Sequence, residues 1–464
     1  MEKLLETVSF INGHLSDYVL TFLLVGTGIY FTLRTRFVQV RCFAEGWKKV
    51  FGNFSLHGKK SDSGFSSFQA LSTAVAAQVG TGNIVGASGA ILTGGPGAIF
   101  WMWVIAFFSM ATSYAEAVLA VQSRVVDEHG RFHGGPCYYI KSAFPNVFGK
   151  ILAGFFSVAV IVSLGIMGCM VQANSIGETC QTAFGIPAWG IGILIVAAAG
   201  MIFTGGVSRI ARVTEKLVPV MALIYLAGGV IVLICRIDCL PETFGVIFKY
   251  AFIPEALIGG SFGAALKTAV TQGVKRGLFS NEAGMGSTPH AHALANVKTP
   301  HDQGVVAMIG VFIDTGIVLT MTALIVISTL YTGDGVLAGA DGTNYAGVIQ
   351  RAGLTKTNLV QIAVASVSSV NAGNIFVAVC LLFFAFSTIV SWNFFGRINW
   401  NSLFGKRSAW VYILLALGSI YLGTLVKNDL VWELQDMFNQ LMVLPNVIAL
   451  AALSGMVAAS ARKH

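Results

Sequence analysis

The stretch from residue 66 to residue 91 is apolar and long enough to cross a bilayer, yet it carries Gly80, Thr81, Gly82 and Asn83 near its middle. A helix gains least from glycine and polar side chains at that depth. Backbone groups left unpaired in hydrocarbon cost several kcal/mol each, so a span opened there must line a cavity enclosed by protein. Opened spans near the midplane are a recurrent way for secondary transporters to hold ions and substrate. This one segment therefore constrains both fold and function.

The rest of the chain agrees. It is 55% hydrophobic and 11% charged, against about 25% charged in soluble domains, and its mean hydropathy is +0.74. Eleven segments hold roughly 17 or more mostly apolar residues, enough for the hydrocarbon core. They fall at about 15–33, 66–91, 97–121, 148–178, 187–204, 215–235, 247–272, 303–331, 373–396, 408–425 and 440–460. The expectation is an all-α membrane protein of eleven transmembrane helices in a single transport domain, residues 1–464. The span 15–33 stands apart as an extra N-terminal helix. The other ten divide into repeats at 66–235 and 247–460, which enter the membrane from opposite sides, as a five-plus-five inverted repeat requires. The first span of each repeat should be broken. In the first repeat the break is Gly80 to Asn83; in the second it is placed at Gly259, Gly260, Ser261, Phe262 and Gly263. The alternative for both clusters is close-packing glycine in intact helices.

With the N-terminus outside and the C-terminus cytoplasmic, 23 of the 29 Lys and Arg fall in inner segments, Lys267, Lys275 and Arg276 among them. That bias sets orientation and accounts for the net charge of +8. The localisation expected is multi-pass in the cell inner membrane, with the lipid bilayer as partner and no obligate protein partner. No basic patch interleaves with aromatics as nucleic-acid binding would need. The first apolar run follows a tail of mixed charge rather than a positive n-region, so it reads as a retained helix and not a cleaved signal. Seven cysteines show no zinc-site spacing. For the three near the outer face, Cys180, Cys235 and Cys239, a disulfide and free thiols both stay open.

Five further features carry chemistry. Asp314 stands near mid-span in Val311-Phe-Ile-Asp-Thr-Gly-Ile317, and an intramembrane carboxylate usually faces a pathway or a partner. It reads as a cation ligand, a proton site or a carboxyl tied to neighbouring backbone. Ser387 and Thr388 are adjacent hydroxyls in an apolar helix, either bonded back to their own backbone or offered to a hard cation, which needs oxygen ligands. Trp392, one turn on, is a pocket wall or an interfacial aromatic. Gln172 and Asn174 bind substrate or link helices. Glu116, toward the inner end of its span, reads as a gate or a structural pairing. The segment Gly273 to His292 reads as an inner loop linked to gating. His290 and His292 sit two apart and share no helix face, so a metal site there is disfavoured.

Three stretches carry a family resemblance: Val79-Gly-Thr-Gly-Asn-Ile-Val-Gly86 with Gly94-Gly-Pro-Gly-Ala-Ile-Phe-Trp-Met-Trp103, the run Gly273 to Gly286, and Phe386-Ser-Thr388 with Trp392. On these the chain resembles the alanine or glycine:cation symporters, also called sodium:alanine symporters, whose fold is similar to that of the leucine transporters. The resemblance implies Na⁺-coupled uptake of small neutral amino acids such as alanine and glycine. It implies Na⁺ ligands at Ala76, Val79, Ser387 and Thr388, and a second cation position using Asn83, the Gln78 carbonyl and Asp314 or Thr315. It implies a substrate pocket formed by Thr81, Gly82, Asn83, Gln172, Gly260, Ser261, Phe262 and Trp392. Na⁺ is then the only cofactor-like ion, and no covalent chemistry is expected. The main rival is a proton-coupled carrier of the same fold working through Asp314. A channel lacks the repeated filter it would need, and a membrane enzyme lacks metal-ligand spacing.

Overall fold

The computed structural model describes residues 2–14, 21–52, 65–426 and 428–463. The chain is almost wholly helical, with one two-stranded hairpin pairing Val125–Val126 with Phe132–His133. Among the described residues six helices are long and apolar enough to cross a membrane, or up to eight when each of two bent pairs counts as one span. Thr21–Arg34 and Ala188–Thr204 are shorter apolar helices. The expected first span begins at residues 15–20, which lie outside the described residues.

The first bent pair is Ser67–Gln78 and Gly82–Gly94, angled by 45°. Its N-terminal end starts with a capping box. The Ser66 hydroxyl accepts from Gln69 N, and the Gln69 side chain accepts from Ser66 N. The helix Pro300–Val311 starts the same way, with Thr299 and Asp302 as the box and proline in its first turn, where the missing amide is harmless. It continues through a π-helical stretch, Phe312–Leu319, that carries Asp314. Helices Val147–Phe184 and Val370–Phe404 complete the walls around the first break. The second bent pair, Asp429–Ala452 with Ser454–Arg462, turns by 59°.

The second half departs from expectation. Residues 247–272 are not one span. The chain forms Leu240–Phe252, a single turn Glu255–Ile258, and then a new helix Phe262–Asn281. Gly259 and Gly260 have φ of 76° and 85° and make the turn between them. The long helix ends at Glu282, with φ 55°, and the chain passes through Gly284 and Gly286, also at positive φ, to Pro289–His292. Residues 262–292 thus form a helix, a break at 282–288 and a short second helix. Residues 277–295 are buried throughout, so this segment is no surface loop. Lys267, Lys275 and Arg276 lie ahead of that break, within the helix Phe262–Asn281 and not in a loop.

The start of the first bent pair and the end of the second broken segment meet. Phe65 N donates to Leu294 O at 2.9 Å and Asn296 N donates to Phe65 O at 2.8 Å, a short parallel bridge. All seven cysteines are free, Cys180, Cys235 and Cys239 included.

Candidate functional site

The first break frees specific backbone atoms. In a continuous helix Gly80 N would bond Ala76 O and Asn83 N would bond Val79 O. Instead Gly80 N donates to the side chain Asn83 Oδ1 at 3.0 Å, and Asn83 N reaches only Gly80 O at 3.3 Å. Thr81 N, likewise released, donates to Gln172 Oε1 at 3.1 Å. The carbonyls of Ala76 and Val79 are left for a facing helix. Thr388 Oγ1 lies 2.9 Å from Ala76 O and 3.4 Å from Val79 O, and Ser387 Oγ lies 3.5 Å from Ala76 O. Both hydroxyls also reach Phe384 O, at 3.1 and 2.8 Å. Two protons thus face three carbonyl oxygens, a surplus of lone pairs. Hard-cation oxygens at about 2.3–2.6 Å stand roughly 3.3–3.7 Å from one another at right angles. The two longer separations meet that spacing, and the 2.9 Å contact has to open by about half an ångström to join them.

Glycine is required at the centre of this arrangement. A Cβ on Gly80 would fall 2.5 Å from Thr388 Oγ1 and 3.1 Å from Gln172 Oε1. On Gly82 it would meet Ser280 Cα at 3.2 Å.

A second constellation surrounds Asp314. Its Oδ1 accepts from Asn83 Nδ2 at 2.7 Å, and its Oδ2 accepts from Ser280 Oγ at 2.9 Å and Thr315 Oγ1 at 2.8 Å. No Lys or Arg pairs with it among the described residues. Gln78 Nε2 donates to Asn281 O at 2.8 Å, so the two breaks are bonded directly to each other. In the second break the Glu282 carboxylate accepts from Trp392 Nε1 at 2.6 Å and from Ser287 Oγ at 2.5 Å. Glu116 Oε1 accepts from Gly286 N at 2.9 Å and from Asn446 Nδ2 at 2.7 Å. Thr81, Asn83, Asp314, Ser387 and Thr388 have no exposed surface, and Trp392 has 2%. The centre is closed to solvent from both faces. Thr81 Oγ1 is buried with no hydrogen-bond partner, a polar atom awaiting one.

Most of the residues singled out in the sequence come together here: Ala76, Val79, Thr81, Gly82, Asn83, Gln172, Asp314, Ser387 and Thr388, with Trp392 reaching the second break. Asn174 instead donates to Gly423 O and Val426 O and links helices. Gly260, Ser261 and Phe262 are not brought in. Ser261 caps the N-terminal end of its helix, accepting from Ala264 N, and Phe262 is 55% exposed. Eighteen residues separate Phe262 from Ser280, a rise of about 27 Å along the helix. Their place beside the first break is taken by Ser280, Asn281 and Glu282. Sequence reading missed these because Lys275 and Arg276 just before them looked cytoplasmic. The glycine-and-polar run Ser280-Asn-Glu-Ala-Gly-Met-Gly286 was the available signal, of the same kind as Gly80 to Asn83. His290 and His292 are buried on Asn399 and Gln303.

Long apolar helices around two broken helices in a buried polar centre are the architecture of a helical membrane transporter. The chain belongs to the sodium:alanine symporter family, whose profile matches residues 1–464. It is 38% identical over 460 residues to the sodium/alanine symporter AgcS of Methanococcus maripaludis, covering 98% of this chain and 95% of that protein. It is 37% identical to the probable sodium/glutamine symporter GlnT of Bacillus subtilis, covering 98% and 90%. In fold it is similar to a mutant manganese transporter of Eremococcus coleocola, with TM-score 0.52 and 12% identity over 83% of this chain and 76% of that one. It is a transporter and not an enzyme.

Proposed function

We propose that this protein is a secondary active symporter that couples Na⁺ entry to uptake of a small neutral amino acid such as alanine or glycine. The observation that carries the reading is the freed pair of carbonyls at Ala76 and Val79 opposite the hydroxyls of Ser387 and Thr388. This is a ligand set for a small hard cation. A second cation position is assigned to Asn83 and Asp314, with Ser280 and Thr315 as neighbouring oxygens. The substrate carboxylate is assigned to the amides of Thr81 and Gly82, with Gln172 withdrawing from Thr81 N and Trp392 as the far wall. Ion and substrate thereby share one opened helix, so occupancy of one organises the backbone that holds the other, and the coupling is reciprocal. The architecture proposed is eleven spans in a five-plus-five inverted repeat after an extra N-terminal helix. The second repeat's opened span is taken as 262–292. The protein is proposed to sit in the cell inner membrane with the N-terminus outside and the C-terminus cytoplasmic.

A proton-coupled carrier is the second reading, favoured by Asp314 being buried without a basic partner among the described residues. Uptake into liposomes separates them. Alanine accumulation driven by a Na⁺ gradient at fixed pH supports the first. Accumulation driven only by a pH gradient in Na⁺-free buffer sinks it. The relative named for glutamine makes competition by alanine, glycine and glutamine the informative substrate test.

A further inference from the structure

Outside the central site the strongest unexplained feature is at the inner end of the helix Thr21–Arg34. Arg36 and Phe37 both lie in the left-handed region, with φ of 56° and 57°. Two consecutive non-glycine residues there are uncommon, and such conformations concentrate at ligand clamps and switch regions. Arg41 holds the turn. Its Nε donates to Arg36 O at 2.8 Å, and one terminal nitrogen donates to Thr35 O and Ala461 O, both at 3.1 Å. The turn sets the Arg36 side chain beside Arg34 and beside Arg462 at the end of the C-terminal helix. With Tyr30 and Leu33 these three guanidinium groups line a cleft of about 280 Å³. No carboxylate pairs with Arg34, Arg36 or Arg462 among the described residues.

Tyr30 also lines a second cleft, of about 270 Å³, that is apolar. Phe22, Gly26, Phe31, Val447 and Ala451 form it between the helices Thr21–Arg34 and Asn428–Ala452. From Phe22 to Tyr30 it follows the helix for about 12 Å. An apolar trough therefore runs along the membrane-facing flank and ends at three unpaired positive charges.

We propose that this composite is a binding site for a glycerophospholipid with an anionic headgroup, one acyl chain in the trough and the phosphate among Arg34, Arg36 and Arg462. The planar guanidinium fork matches phosphate oxygens two at a time, and basic pockets between membrane helices suit anionic headgroups. A choline headgroup would bring its own cation toward three others. The plainer reading, arginines merely snorkelling to a leaflet, gives no preference for one headgroup and no dependence on the trough.

Native mass spectrometry of the full-length detergent-solubilised transporter, with phosphatidylglycerol or phosphatidylcholine added, tests it. One phosphatidylglycerol should be retained about a hundredfold in preference to phosphatidylcholine, at about 1 kcal/mol for each of the three arginines. Each arginine changed to glutamine should reduce that preference about fivefold, and the triple variant Arg34→Gln, Arg36→Gln, Arg462→Gln should abolish it. A second variant acts on the trough alone. A Cβ on Gly26 meets nothing within 4 Å, so Gly26→Leu enters the trough from an open position. It should weaken retention of phosphatidylglycerol while leaving any binding of glycerol 1-phosphate unchanged. Equal retention of the two lipids overturns the proposal, as does undiminished retention in Gly26→Leu.

Discussion

Thr388→Ala is the most direct probe of the proposed ion site, and the geometry makes it unequal to Ser387→Ala. Thr388 Oγ1 contacts both freed carbonyls, at 2.9 and 3.4 Å, whereas Ser387 Oγ touches only Ala76 O, at 3.5 Å, and spends its shorter bond of 2.8 Å on Phe384 O. A hydrogen-bond-type contact to a charged group is worth about 1.5–3 kcal/mol. At 1.4 kcal/mol per decade the loss of Thr388 should raise the Na⁺ concentration for half-maximal alanine uptake by about ten- to a hundredfold. Ser387→Ala should raise it by about fivefold, since Ser387 reaches a single freed carbonyl, at 3.5 Å, a contact worth about 1 kcal/mol. Thr388→Ser keeps the oxygen and should stay within about threefold. Hydrogen bonds between membrane helices average about 0.6 kcal/mol, so the variants should fold and purify normally. Gly80→Ala is an independent check, because its Cβ at 2.5 Å from Thr388 Oγ1 must push the same hydroxyl away. Linkage adds a sign: saturating alanine should partly restore Na⁺ affinity in Thr388→Ala. The assay is initial alanine uptake in proteoliposomes against Na⁺ concentration. A Thr388→Ala curve that overlays the unaltered protein, or a Ser387→Ala defect larger than that of Thr388→Ala, refutes the reasoning.

Asp314→Asn should insert and purify but lose Na⁺-dependent uptake by at least about tenfold, since it replaces a buried acceptor of charge-assisted bonds; unchanged Na⁺ dependence would make Asp314 structural. Trp392→Ala should weaken alanine binding and admit larger side chains, measured by competition, whereas leucine competing as well as alanine in the unaltered protein would remove Trp392 as the size limit. Gly168→Ala should mimic part of that change, because a Cβ there would fall 2.4 Å from the Trp392 indole; a variant with the original substrate profile counts against the indole's position mattering.

The first break was legible because glycine and polar residues interrupt an apolar run, and nothing local offsets the cost of opening a helix in lipid. The pair Ser387 and Thr388 was legible for the same reason. The second break was not, and the cause is long-range pairing. Lys275 and Arg276 share the carboxylate of Asp436, at 3.3 Å from each, and Glu282 accepts a hydrogen bond from the indole of Trp392, 110 residues away. Hydropathy weighs each residue against lipid alone, so a charge whose partner lies far along the chain is assigned to water. The glycines at 259 and 260 misled in the opposite sense. They serve a surface turn between two helices, and an apolar setting made that turn look like an opened span. Glu116 shows a middle case. Its burial was evident from its span, but its partners, Gly286 N and Asn446, became nameable only once the second break was known.

The bridge between Phe65 and the segment Leu294–Asn296 has a mechanical meaning. Both of its bonds are backbone to backbone, so side-chain substitution cannot remove them without changing the fold of the strand itself. It fastens the roots of the two opened spans to each other, as a hinge pin fastens two leaves. If the transport cycle moves these half-helices, the bridge should make the two move together relative to Val370–Phe404. A pair of spin labels spanning the bridge should keep its separation through a transport cycle. A pair reaching from either root to Val370–Phe404 should not, and that difference locates the axis about which the protein turns.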